Sequence, residues 1–224
     1  MENKNFHNGY EYVDLGLPSG TLWATKNVGE DELTHFTFDE AKNSSKFTVN
    51  IWNAKWKTPT KAQFEELFAN TTSAWVEKYH GGCFNGMLLT SKINGKEIFF
   101  PAHGFIDSLV VGHIRFFNTR CNYWAIENTK HTENNHTECV EKPFAIFMMD
   151  GHQDIKDGEN DADYGLRFSV RAVVNKAELF RKDAREIADK VKHLKGDIAI
   201  FSDKYKLDKR NIINIVKILN NSES

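Results

Sequence analysis

The sequence predicts an α+β domain followed by a small helical tail, and three observations carry that reading. Two helical patterns, over 37–43 and from Thr60, stand in the first third of the chain. Short β-type runs, separated by Gly, Asn and Asp, then continue to Val174. Past Val174 the texture changes to a helical rhythm with charges between the apolar positions. The predicted division is a domain over 1–175 and a tail over 176–224.

The elements follow in order. Tyr10–Leu15 and Thr21–Ala24 read as strands around a Leu-Pro-Ser-Gly turn, where Pro18 fixes one backbone angle and Gly20 frees another. Thr37 to Asn43 suits a short helix. Thr60 and Gln63 form a capping box for a second, with Phe64, Leu67 and Phe68 as its apolar stripe. Gly86–Thr90, Glu97–Phe100, Tyr123–Ile126, Phe144–Met149 and Leu166–Val174 read as strands. In the tail, Leu179, Phe180, Ile187, Val191 and Leu194 keep helical spacing up to Gly196, a helix stop. Asp197–Tyr205 suits a second tail helix. Asp208 caps a third, lined by Ile212, Ile215, Val216 and Leu219.

Charge divides the chain in the same place. Of 29 basic and 31 acidic side chains, 12 and 8 fall in 176–224, net +4; the remaining 17 and 23 give the first 175 residues net −6. No window approaches the ~18 apolar residues of a membrane helix. No apolar signal core is read in the first residues, so the expected location is a virion or the cytoplasm, without a membrane partner. Cys83, Cys121 and Cys139 are odd in number and lack a Cys-x-x-Cys pair, so free thiols are expected.

Several constellations invite chemistry. Cys121, His131, His136 and Cys139 offer a Cys₂His₂ zinc donor set, although not at finger spacing. The stretch 150–163 holds six carboxylates; Asp154, Asp157, Asp161 and Asp163 are calcium candidates on an expected flexible loop, although their order does not fit an EF-hand. Catalytic signatures such as Gly-x-Ser-x-Gly, a phosphate loop or His-Glu-x-x-His do not occur, so no enzyme and no cofactor are expected. In the tail, Lys-Tyr-Lys-Leu-Asp resembles the turn of a helix-turn-helix. Lys209, Arg210, Asn211, Asn214 and Lys217 would then face DNA; docking on a neighbouring subunit is the other use of such a tail.

Five blocks carry a family resemblance: Tyr12-Val-Asp-Leu-Gly-Leu-Pro-Ser-Gly-Thr-Leu-Trp-Ala24, Trp56-Lys-Thr-Pro-Thr60, Asn94-Gly-Lys-Glu-Ile-Phe-Phe-Pro-Ala-His-Gly104, Tyr123-Trp124 and Tyr164-Gly-Leu-Arg-Phe-Ser-Val-Arg-Ala-Val173. In this order they resemble the Fibrobacter succinogenes major paralogous domain family of C-type-lectin-like modules, over roughly 10–174. The resemblance implies a lectin-like fold in which Trp23, Trp56 and Trp124 are core, whereas Trp52 lies outside the blocks. It implies recognition of a carbohydrate or protein ligand. In related modules the connections of the second half form the recognition surface. That places ligand binding on the polar loop expected over 127–142, at Asn128, His131, Asn134, Asn135 and His136, with help from 150–163. Nothing matches the active-site block of lectin-like formylglycine-generating enzymes. The reading that follows is a non-enzymatic recognition or adhesion module, a phage virion accessory or receptor-binding protein of a gut bacterium, oligomeric if virion-bound. The alternative is a cytoplasmic nucleic-acid-binding protein that uses its tail.

Overall fold

The computed structural model describes residues 5–7, 10–29, 33–43, 56–107, 113–133 and 136–177. The chain divides into two units, Met1–Asn175 and Lys176–Ser224. The described elements of the first are β1 Asn5–His7, β2 Tyr10–Val13, β3 Thr21–Ala24, α1 Phe38–Lys42, α2 Lys61–Ala69, β4 Thr71–Val76, a 3₁₀ turn Tyr79–Gly81, β5 Gly86–Ser91, β6 Glu97–Pro101, β7 Phe105–Ile106, β8 Ile114–Arg115, β9 Cys121–Glu133, β10 His136–Met149, β11 His152–Asp157, α3 Glu159–Asp163 and β12 Val173–Asn175. It is a mixed, strand-rich α+β unit. None of its described helices is long and apolar enough to cross a membrane.

Among the described residues the unit has four antiparallel sheets, in the orders β1-β2-β3-β12, β4-β5-β6, β11-β10-β9 and β7-β8. The first joins the two ends of the unit, because Trp23 stands opposite both Val13 and Val173. Both predicted helix starts are capping boxes. Thr37 accepts from the Glu40 backbone and the Glu40 side chain accepts from Thr37; Thr60 and Gln63 do the same.

The core forms where the sheets and α2 converge. Trp23, Trp56, Trp124, Tyr123, Phe64, Phe100 and Phe168 are fully buried. Trp23 meets Phe64 and Phe100 edge-on at 5.0 and 5.9 Å, and Trp124 lies 4.3 Å from Phe168. Each such ring pair adds ~0.5–1.5 kcal/mol beyond the area it buries.

Three expectations are corrected. Residues 127–142 are not a loop. They continue β9 and β10 as an antiparallel arm whose register runs from Glu127↔Lys142 to Glu133↔His136. Asn128, Lys130, Cys139, Val140 and Glu141 are all exposed, so at these positions backbone pairing holds the arm and no burial imposes an apolar alternation. Residues 150–163 are likewise a turn, strand β11 and helix α3. Conversely, 166–174 is not one continuous strand. Phe168, Ser169, Val170, Arg171 and Ala172 are buried without a break, and the segment makes single bridges to Ile106, Phe36 and Tyr123 before joining β3.

Candidate ligand-binding site

Two of the sequence blocks lock together first. Ser91 Oγ donates to Leu15 O at 2.7 Å and Asn94 Nδ2 to Asp14 O at 2.9 Å. The Asn-Gly-Lys turn between β5 and β6 is thereby fixed to the strand leading into the Leu-Pro-Ser-Gly turn. On the other side of that turn, Ser19 N donates to Glu66 Oε1 of α2 at 2.8 Å.

With β3 and β6 so fixed, their ends delimit a cavity of about 430 Å³ lined by Thr25, Lys26 and Asn27, by Tyr79, Gly82, Cys83 and Phe84, by Phe99, Pro101 and His103, and by Arg171. That volume lies within the ~300–1,000 Å³ usual for small-molecule sites.

The floor is polar and buried. Arg171 is 1 % exposed. It donates to Ala24 O at 3.2 Å and Phe99 O at 3.0 Å, with its guanidinium 5.0 Å from the Phe100 ring centre. Tyr123 Oη donates to Asn27 Oδ1 at 3.1 Å, leaving Asn27 Nδ2 facing His103 Nδ1 at 3.3 Å. In this orientation Nδ1 accepts, so a neutral His103 carries its proton on Nε2. Burial pushes the Tyr123 phenol well above the usual tyrosine range, with the Arg171 charge opposing. It also pushes the Cys121 thiol up to about 12. Both stay protonated at neutral pH.

The walls are aromatic. Tyr79 stacks on Phe99 at 4.1 Å and 11°, while Phe84 stands edge-on to His103 at 4.6 Å. Phe117 continues this surface 6.0 Å from Phe84. Phe116 and Phe117 are 53 % and 41 % exposed.

The rim is held in unusual backbone. Four non-glycine residues have positive φ among the described residues: Lys78, His80, Phe116 and Asn118. Lys78 and His80 lie at and within the segment Lys78 to Asn85, and Phe116 and Asn118 in the segment beside it. Asn118 joins these segments. Its Oδ1 accepts from Asn85 N at 3.0 Å, its Nδ2 donates to Cys83 O at 3.1 Å, and its backbone N donates to Ala102 O at 2.7 Å. Such backbone costs ~1–3 kcal/mol per residue and persists only where its surroundings over-determine it.

The sequence-predicted residues fall elsewhere. Asn128, His131 and His136 lie on the β9–β10 arm; Asn134 and Asn135 are outside the described residues. A single zinc site from Cys121 and Cys139 is overturned by register. Cys121 pairs with Met148, and Cys139 lies nine residues from Met148 along β10, roughly 30 Å at ~3.3 Å per residue. For calcium, the expected loop is absent. Asp154 lies 3.5 Å from Lys156 Nζ, and Asp157 accepts from Glu159 N. Burial raises the Asp161 carboxyl, with Arg120 opposing. Among the described residues no group of three or more His, Cys, Asp and Glu is placed to hold a metal. Trp52, Lys209, Arg210, Asn211, Asn214 and Lys217 lie outside the described residues.

His103, Phe99, Pro101 and Arg171 do belong to the sequence blocks. Asn27, Tyr79, Phe84 and Asn118 were missed. The signal available for them was a pair of aromatic, turn-rich segments, Tyr79-His-Gly-Gly-Cys-Phe-Asn85 and Phe116-Phe-Asn118.

Comparison with protein-family models, curated proteins and solved structures returned no match to the chain.

Proposed function

We propose that this chain is a non-enzymatic recognition module that seats part of a carbohydrate or protein ligand in the cavity above Arg171 and His103. The observation that carries the reading is the clipped rim: Asn118 fastens the Cys83 and Asn85 backbone to β6, so aromatic walls stand over a polar floor already ordered before any ligand arrives. Pre-ordering lowers the entropy a binding site loses on association. The family resemblance supports the same use, since two of its blocks supply Phe99, Pro101, His103 and Arg171. Rigid aromatic faces beside a few hydrogen-bonding groups suit a sugar ring or a peptide side chain.

Glycan and peptide arrays probed with the full chain test this. Tyr79→Ala and Phe84→Ala should lose the wild-type signal while keeping the wild-type melting profile. Alanine at Asn128, His131, Asn134, Asn135 and His136 together should keep the signal. The reverse pattern would move recognition from the cavity to the β9–β10 arm.

A further inference from the structure

Resting on the cavity being the ligand site, we infer that its ligand is a small anion: a carboxylate attached to a ring with a flat face. The two formally charged residues in the described lining are both cations. Arg171 lies in the floor and Lys26, exposed, at the mouth; no Asp or Glu is among them. This runs against the chain around it, because the first 175 residues are net −6, with 17 basic and 23 acidic side chains. An acidic body repels anions at long range, so a locally cationic cavity selects for a ligand that presents its negative charge inside.

The floor makes the charge directional. Arg171 is fixed by the Ala24 and Phe99 carbonyls and by the ring beneath it, so its position does not have to be established during binding. Its Nη1 and Nη2 already donate to those two carbonyls, so toward a carboxylate Arg171 acts as a fixed positive charge at the base of the cavity. Thr25, Asn27 and His103 add polar groups around the charge, and Tyr79, Phe84 and Phe99 add ring faces. Uronic-acid sugars and aromatic carboxylates both combine an anion with such a face.

Glucuronate and benzoate are the anionic probes; glucose and benzamide are their neutral counterparts. Each is titrated into the full chain, followed by the amide resonances of Gly82, Cys83 and Phe84. At least one anion should move these resonances saturably and bind tenfold or more tighter than its neutral partner. Raised salt should weaken it, because Lys26 is exposed and screened over ~10 Å. Lys26→Gln should weaken the anion severalfold and leave any binding of the neutral partner unchanged. Which anion binds separates a sugar acid from an aromatic acid. Equal binding of charged and neutral probes would overturn the anion inference and keep the cavity as the ligand site. No movement with any probe would also overturn it. The cavity itself would then stand or fall on whether Phe84→Ala abolishes array binding.

Discussion

The Arg115 carbonyl oxygen occupies the space that a side chain on Gly104 would need: an ideal Cβ there would lie 1.9 Å from it, with Gly104 at φ +64°. The neighbouring backbone is committed too, since Gly104 N donates to Arg120 O at 2.9 Å and Phe105 pairs with Arg115. Gly104 thus lets β6 turn past β8 immediately after His103. Gly104→Ala should cost at least about 2 kcal/mol, from the left-handed backbone and a forced shift of β8. Gly151 has φ +67° but open space at its Cβ, so Gly151→Ala should cost only ~1–2 kcal/mol. Urea denaturation of both variants checks the ranking; equal costs would mean that the contact with Arg115 relaxes freely.

The three thiols should react in two classes. Cys83 and Cys139 are exposed and free, whereas Cys121 is free but buried, its Sγ against Phe100 O at 3.2 Å and its pKa pushed to about 12. The thiolate is the reacting species. Alkylation of the native protein should therefore label Cys83 and Cys139 within minutes and Cys121 only after denaturation. Native labelling of Cys121 would mean that the core around β9 opens readily.

Which parts of this were legible in the sequence follows from how far each signal travels along the chain. Capping boxes are local, so Thr60 with Gln63 located the helix from Lys61, and the run from Thr37 located the shorter helix before it, whose capping box appears only in the structure. Buried apolar side chains in alternating or near-continuous runs located β3, β5 and β6. The arm was not legible, because it pairs through backbone and Asn128, Lys130, Cys139, Val140 and Glu141 are exposed, so no apolar alternation marks it. The segment 166–174 was misread for the opposite reason: five consecutive buried residues, Phe168 to Ala172, look like a core strand, yet Arg167, Phe168 and Ser169 bridge three separate neighbours. The cavity was not read from the sequence. His103 and Arg171 lie within sequence blocks, but Asn118 acts through Cys83 and Asn85, more than thirty residues away, and no local pattern announces that bond.

Stability should form a dome against pH, with an assignable cause on each flank. Burial lowers the His35 pKa below 6.5, against backbone hydrogen bonds that raise it. The unfolded chain therefore binds the extra proton first, and stability falls as pH drops below ~6.5 toward the folded value. Cys121 and Tyr123 have the opposite sign. Their folded pKa values lie above 9.0 and 10.0, so the unfolded chain releases protons first and stability falls as pH rises above ~9. Urea midpoints at pH 5, 7.5 and 10.5 should be highest at 7.5. Cys121→Ala should shrink the drop from 7.5 to 10.5, and His35→Gln the drop from 7.5 to 5. An unchanged slope in either variant would assign that flank to other groups.

Asn118→Gly should separate the order of the rim from the stability of the fold. The substitution removes two side-chain hydrogen bonds, one that Asn118 Oδ1 accepts from Asn85 N and one that Asn118 Nδ2 donates to Cys83 O, worth ~0.5–1.5 kcal/mol each. It also relieves a non-glycine residue at φ +58°, which offsets about 1 kcal/mol. The melting temperature should consequently move by only a few degrees, since ~1 kcal/mol corresponds to ~2–4 °C at this chain length. The Asn118 backbone carbonyl remains to accept from Asn85 Nδ2, so the segment should stay near its place while losing its clip. Amide exchange should therefore accelerate at Asn85, whose N–H loses its acceptor, and remain near wild type at Leu88 and Leu89 within β5. Any array ligand should bind more weakly, because the order of residues 79–85 must then be established on binding. Unchanged exchange at Asn85 would mean that Lys78 to Asn85 is ordered by its own turn. Faster exchange with undiminished binding would mean that the rim takes no part in holding the ligand.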